Sequence, residues 1–311
     1  MRVLITGGFG FVGGRLAQQM QAAGHEVLLG SRRAALPPVW LPDSQVVMTP
    51  WNDAEALARI CRDVDFLVHA AGMNAQDCAA NPVAALEFNG VATSRLVAAT
   101  EESRIKRIIY LSTAHVYASP LEGRIDEDTR PGNLHPYATS HVAGENAVLN
   151  EHSGAQCGRI VLRLSNIYGS PVDRVVNCWT LLVNDLCRQV VTNGKMVLRS
   201  GGHQQRDFIP MNAFLQRFEE EFSKGSENNL NGIFNVGSEM SMSVLEMARR
   251  IQKRCQVIFG FEPTLELPPS GAQPEQNPVL EFRTRRLARP EPAVIEPEID
   301  RLLRFCKLAF A

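Results

Sequence analysis

The chain has 311 residues and 45% hydrophobic content, enough for one large core or two unequal ones. Its formal charge of −1 gives no long-range field toward nucleic acid or a membrane surface, so neither is expected as a partner. No apolar run has the length of a bilayer span, and Met1-Arg2-Val3-Leu4-Ile5-Thr6 passes directly into a strand, so a cytoplasmic protein without a leader peptide is expected.

In chain order, strands are predicted at residues 2–5, 26–29, 45–48, 66–69, 107–111 and 159–163. Apolar residues at helical spacing predict helices over 11–23, 53–62 and 83–103. Strands alternating with helices imply an α/β protein with a parallel, doubly wound sheet. The strands at 66–69 and 108–111 are nearly all apolar, the pattern of strands covered on both faces. Further helices are predicted over 181–191 and 244–252, the second capped by Ser241, with a short strand over 195–199. Between Glu262 and Pro297 stand Pro263, Pro268, Pro269, Pro274, Pro278, Pro290, Pro292 and Pro297. They exclude a continuous helix or a central strand, so a meandering surface segment is expected there, followed by a closing helix over 298–308. The seven cysteines are odd in number and widely spaced, with no CxxC pair; buried free thiols are expected, and no disulfide or metal centre.

The run Thr6-Gly7-Gly8-Phe9-Gly10-Phe11-Val12-Gly13 lies between the first strand and the first helix. Glycines at this spacing permit a tight turn, a close backbone approach to a pyrophosphate and close helix–strand packing. The helix start offers free N–H groups to the anion. Gly7, Gly10, Phe11, Val12 and Gly13 are therefore candidate dinucleotide contacts. The second strand ends in Ser31-Arg32-Arg33 with no acid to receive the adenosine ribose hydroxyls. Two guanidinium groups suit a 2′-phosphate, so NADP is the expected cofactor, with NAD as the alternative if the arginines are only a solvated turn. Asn52 and Asp53 after the third strand, and Ala70-Ala71-Gly72 after the fourth, complete the candidate cofactor set.

The fifth strand continues into Leu111-Ser112-Thr113-Ala114-His115-Val116-Tyr117, and Pro136-Tyr137-Ala138-Thr139-Ser140-His141 follows at a helix start. Then come Arg163-Leu164-Ser165-Asn166-Ile167-Tyr168-Gly169, Arg206-Asp207-Phe208-Ile209 and Phe234-Asn235-Val236-Gly237. This ordered set, with the glycine loop, resembles the extended short-chain dehydrogenase/reductase family, in particular its NAD(P)-dependent nucleotide-sugar epimerases, dehydratases and 4-ketoreductases. The resemblance implies a Rossmann-like dinucleotide-binding domain over 1–170 that carries the catalytic residues. It also implies a smaller, mainly substrate-binding part over 171–311, some of whose segments return to the sheet. Tyr137 is then the acid/base, Thr113 the hydroxyl bonded to the reacting oxygen, and Ser112 a weaker candidate for that place. The family pattern is Tyr-x-x-x-Lys, whose four-residue spacing puts both side chains on one helix face. This chain has His141 at the lysine position, which can donate to the cofactor ribose but gives a weaker, pH-dependent field. Two readings stay open: an active enzyme in which His141 replaces the lysine, and a cofactor-binding member with weakened or lost chemistry. If Tyr137 must ionise unaided, activity should rise with pH.

By the same resemblance Asn166 and Arg206 contact the diphosphate of a nucleotide sugar, with Asn177, at the start of the following helix, a weaker candidate. Pro210-Met211-Asn212 departs from the family pattern, which leaves the sugar open. Both 4-ketoreductase and 4-epimerase fit; Arg32-Arg33 favours the reductase, because a reductase consumes NADPH. A 4,6-dehydratase fits less well, since Ala114-His115 stands where such relatives carry a carboxylate pair. The resemblance also implies a homodimer, built from the helices over 83–103 and 137–151.

Overall fold

The computed structural model describes residues 1–150, 157–223, 230–268 and 279–311. In chain order β1 (Arg2–Thr6) leads through the glycine turn into α1 (Phe11–Ala22), followed by β2 (Glu26–Ser31), β3 (Gln45–Met48), α2 (Ala54–Cys61) and β4 (Phe66–His69). A short α3 (Ala75–Ala80) comes next, opened by the Asn74 side chain, which accepts the Asp77 N–H. Helix α4 (Pro82–Ala85) runs through a π-helical stretch, Leu86–Ala92, into α5 (Thr93–Ala98). The expected helix over 83–103 therefore stops at Ala98. Thr100 and Ser103 bond their hydroxyls back to Val97 O (2.6 Å) and Thr100 O (2.7 Å), which stabilises a turn instead. The chain continues through β5 (Arg107–Thr113), β6 (Gly123–Ile125), α6 (Pro136–Leu149), β7 (Gly158–Leu164), β8 (Asn166–Tyr168), α7 (Leu182–Asn193), β9 (Lys195–Val197), β10 (Gln205–Pro210), α8 (Met211–Arg217) and β11 (Gly232–Val236). It closes with β12 (Ser241–Ser243), α9 (Val244–Phe259), β13 (Thr264–Glu266), β14 (Leu280–Phe282) and α10 (Glu296–Phe310).

Two compact units result. The first comprises Met1–Ser119, Arg130–Leu164 and Glu219–Phe234. Its sheet has the order β11-β7-β5-β4-β1-β2-β3, and every ladder from β7 to β3 is parallel. This is the Rossmann-like, doubly wound arrangement expected of the alternating pattern. Every residue of β4 and β5 is buried, as expected of the nearly all-apolar stretches at 66–69 and 108–111. The chain steps outward from β1 in both directions, toward β2 and toward β4. The carboxyl ends of β1 and β4, where Thr6 pairs with His69, thus flank the switch point at which such sheets receive ligands.

The second unit comprises Pro120–Thr129, Ser165–Phe218 and Asn235–Ala311. Its core gathers Leu186, Cys187 and Val190 of α7, Met247, Ile251 and Cys255 of α9, and Ile299, Leu302 and Cys306 of α10. Helix α9 extends past the expected Gln252 because Cys255 continues the buried stripe; it ends at Gly260, which takes the left-handed conformation. Its cap is Ser243, whose hydroxyl accepts the Glu246 N–H at 3.0 Å, and not Ser241, which lies in β12. The proline-rich segment is more ordered than expected. β13 pairs in parallel with β9 and β14 with β6, and Leu280, Phe282 and Ile295 are buried. Pro269, Pro274 and Pro278 lie outside the described residues. Pro297 sits in the first turn of α10, where no N–H is needed, so that helix begins two residues before the expected Glu298. All seven cysteines are free, and all but the half-buried Cys157 are buried. Among the described residues no helix is long and apolar enough to cross a membrane.

Candidate functional site

The glycine turn is built for close approach. Gly7 has φ +69°, and a Cβ there would lie 2.7 Å from Ala70 O and Ala71 N. A Cβ on Gly13 would lie 2.3 Å from Gly7 O, so the start of α1 presses directly onto the turn. The Gly10 N–H closes the turn on Gly7 O at 2.8 Å, and no side chain caps the helix. The first backbone N–H groups, from Phe11 to Gly13, can therefore meet an anion. Ala70-Ala71-Gly72 forms the facing wall after β4. At the end of β2 the Ser31 hydroxyl donates to Arg33 O (2.7 Å) and accepts the Arg33 N–H (3.1 Å), folding the turn back on itself. Arg32 and Arg33 are exposed there, and among the described residues neither guanidinium has an acidic partner. Asn52 and Asp53 are engaged locally. Asp53 caps α2 by accepting the Ala56 N–H at 2.9 Å, and Asn52 Oδ1 accepts from Arg95 at 2.6 Å.

Thr113 closes β5 and Tyr137 stands in the first turn of α6, whose start is fixed by His135 Nδ1 accepting the Tyr137 N–H at 3.1 Å. Removal from water pushes the Tyr137 phenol above its usual range, and the neighbouring Thr113 hydroxyl offsets only part of that rise. Thr113 and Tyr137 are thus brought together. Ser112 is not part of that pair, because successive strand residues point to opposite faces. Its hydroxyl donates to Glu145 Oε1 at 2.5 Å. Glu145 in turn holds Arg163 through Nε (2.9 Å) and Nη2 (2.5 Å), with both side chains buried. Ser112 serves this buried ion pair, which ties α6 to β7.

His141 lies one turn after Tyr137, and the two rings meet edge to face at 4.6 Å. Its Nδ1 is 2.9 Å from the Tyr110 hydroxyl. A Cβ placed on Gly72 would lie 3.7 Å from its Cε1 and 3.9 Å from its Nε2. Burial lowers its pKa to about 4. With that shift the imidazole gives little positive field at neutral pH, in line with the weaker field expected of a histidine here.

Sequence reasoning missed the polar residues behind this pair. Asn89, in the π-helical stretch, accepts the Met73 N–H (2.9 Å) and donates to Ser140 (3.0 Å), joining the Gly72 segment to α6. His69 Nε2 lies 2.9 Å from Thr93, whose own proton goes to Asn89 O, so His69 is the donor there. Its Nδ1 then accepts from Thr6 at 2.6 Å. Desolvation, and secondarily His141, lower the His69 pKa to about 3. Polar residues within apolar runs at 69, 89, 93 and 110 are the signal that could have found this network.

In the second unit, Asn166 of β8 pairs in register with Phe208 of β10, and Arg206 lies two residues before it on the same strand face. Asn166 Nδ2 donates to Asp207 O at 3.1 Å. Arg206 donates to Gln204 at 3.1 Å, has no acidic partner among the described residues, and is less basic than usual because it is partly desolvated. Asn177 is exposed and lies in a bend before α7, not at a helix start as expected. The apolar side chains of the helical run from Pro82 to Ala98 divide. Leu96 and Val97 are buried, whereas Val83, Leu86 and Val91 are 69%, 51% and 42% exposed.

The chain matches the NAD dependent epimerase/dehydratase family over residues 3–237. It is 28% identical over 193 residues to the dTDP-D-glucose 4,6-dehydratase of Bos taurus, covering 60% of this chain and 51% of that protein. It is 31% identical over 176 residues to Agl14 of Haloferax volcanii, named as a low-salt glycan biosynthesis reductase, with 56% of each covered. The chain thus spans about half the length of these curated relatives. A UDP-N-acetylglucosamine 4-epimerase from Methanobrevibacter ruminantium, solved with UDP-N-acetylmuramic acid, has the same fold (TM-score 0.81, 20% identity, 98% of this chain and 97% of that one).

Proposed function

Because the chain belongs to the NAD-dependent epimerase/dehydratase family, we propose that it is an NADPH-consuming reductase of a nucleotide-linked ketosugar, with Tyr137 as proton donor. The observation that carries this reading is a Tyr137 whose pKa is raised, edge to face with a neutral His141. A tyrosine without a cation beside it stays protonated, which suits an acid that protonates a ketone oxygen. Oxidation of an alcohol would need the phenolate, and a 4-epimerase must run both directions.

The residues present fit a dinucleotide. Gly7 and Gly13 leave no room for a Cβ, and no side chain caps the start of α1, so its first N–H groups stay open to a pyrophosphate. Gly7, Gly10, Phe11, Val12 and Gly13 would hold the pyrophosphate, and Ser31, Arg32 and Arg33 the 2′-phosphate. When bound, NADPH supplies the hydride to the carbonyl carbon. Tyr137 gives its proton to the carbonyl oxygen, Thr113 donates a hydrogen bond to the same oxygen, and His141 donates to the ribose. Arg206 and Asn166 are assigned to the substrate diphosphate, Arg206 because a partly desolvated guanidinium without an acid favours an anion. A 4,6-dehydratase reading is disfavoured, although relatives carry that name: the buried Ala114 offers no acid after Thr113. We further assign the exposed Val83, Leu86 and Val91 face to contact with a second copy of the chain.

The test combines calorimetry and turnover. NADP should bind at least about tenfold tighter than NAD, some 1.4 kcal/mol. NADPH should be oxidised by nucleotide 4-ketosugars, and Tyr137→Phe should cut kcat by about 10²–10⁴-fold while leaving NADPH affinity nearly unchanged. Interconversion of nucleotide hexoses with no net NADPH oxidation would establish an epimerase instead. Cofactor binding without turnover on any ketosugar would establish a non-catalytic member.

A further inference from the structure

Tyr110 has no part in the chemistry above. It sits in the middle of β5, 1% exposed, paired in register with His69 of β4 and Val161 of β7. A buried phenol needs a partner for its hydroxyl. Its hydroxyl meets His141 Nδ1 at 2.9 Å, and α6 carries Gly144 where the two elements touch. A Cβ on Gly144 would lie 2.6 Å from the phenol oxygen, so the absence of a side chain there lets the helix come down onto the hydroxyl.

The proton count fixes the direction of this bond. A neutral imidazole carries one N–H. If Nδ1 held it, the phenol proton would have no acceptor among the described residues. With the phenol donating, Nδ1 is bare and the imidazole proton is on Nε2. Nε2 lies on the ring edge nearest Gly72. The ring of His69 stacks on Tyr110 at 5.4 Å and 28°, and His69 is itself held at both nitrogens, so the phenol has little freedom to turn away.

We infer that Tyr110 is a positioning residue that holds His141 as the Nε2–H tautomer, so that a neutral imidazole donates to a cofactor ribose hydroxyl from the place where relatives carry a lysine ammonium. The donation to the ribose rests on the dinucleotide reading above; the tautomer is a property of the protein alone. Two readouts keep them apart.

The first is ¹⁵N NMR of histidine-labelled, cofactor-free protein at pH 7, with the His141 signals identified by their loss in His141→Gln. The wild type should show a protonated Nε2 and a bare Nδ1. Tyr110→Phe, which removes one oxygen atom, should average the two nitrogens while the His69 signals stay in place. An Nδ1–H pattern in the wild type, or an unaltered His141 pattern in Tyr110→Phe, overturns the inference. The second readout is NADPH affinity in a double-mutant cycle. Tyr110→Phe should weaken binding about fivefold, the worth of one hydrogen bond, in the wild-type background and leave it unchanged in His141→Gln. Equal losses in both backgrounds would make Tyr110 merely structural and overturn the donation. Failure of the ketoreductase reading would appear separately, as absent ketosugar turnover with the tautomer and the affinity cycle intact.

Discussion

An imidazole where the family resemblance implies a lysine ammonium would change what the neighbouring tyrosine can do. His141 is buried enough to be neutral down to about pH 4, so no charge from it reaches Tyr137 across the working pH range. The Tyr137 pKa rises through desolvation and is only partly offset by Thr113. As the proposed acid, Tyr137 acts while it holds its proton, so activity should be fully present below the phenol pKa and lost above it. Ketone reduction should therefore be flat between pH 6 and 9 and fall only at higher pH. Oxidation, measured in reverse, should rise over that range, as the sequence implies for a tyrosine ionising unaided. His141→Lys should move the alkaline fall of the reductive profile to lower pH, because an ammonium one turn away favours the phenolate. A reductive rate that climbs from pH 6 to 9 in the wild type would mean Tyr137 acts as a base. Ser112 shows how close the sequence comes to the site at this scale. It neighbours Thr113 in every motif, yet strand alternation turns its hydroxyl into the Glu145–Arg163 pair.

Helix α6 is central to the proposed site, since it carries Tyr137, Ser140, His141, Gly144 and Glu145. Its placement depends on Gly144, where a Cβ would meet Asn89 O at 2.5 Å and the Tyr110 hydroxyl at 2.6 Å. Neither neighbour can yield easily. One is backbone in the π-helical stretch, and the other is a buried ring in a central strand. Gly144→Ala should destabilise the protein by about 1–3 kcal/mol, typical of overpacking, although alanine favours helices in isolation. Urea titration checks this; a variant as stable as the wild type, or more so, would show that α6 is free to shift. From sequence alone Gly144 reads only as a weak point in a helix. The π-helical stretch was equally hidden, because its side-chain spacing differs little from that of an ordinary helix. The three-residue strands β13 and β14 were missed because so few residues carry no readable period, and each gains its order from a partner far away in the chain.

For the whole molecule, the proposed assembly rests on Val83, Leu86 and Val91, apolar side chains left in water by a helical run whose other face fills the core. Leu86→Asp should shift a dimer to monomer in sedimentation velocity while the far-ultraviolet circular dichroism is retained. An unchanged sedimentation coefficient would place any dimer contact elsewhere. Read along the chain, the residues suffice for the alternating strands and helices, the parallel sheet, the glycine turn after β1, the absence of an acid after β2, and the Thr113 and Tyr137 candidates. These are local: periodicity, turn chemistry and short motifs act within one or two neighbouring elements. Packing alone brings burial that lowers the His141 pKa, sets the Tyr110 hydroxyl against its Nδ1, makes Asp53 a helix cap and turns Ser112 to a buried ion pair. Charge state, hydrogen-bond partner and burial depend on groups that reach one another only when β4, β5, the π-helical stretch and α6 pack together, and no spacing along the chain records that meeting.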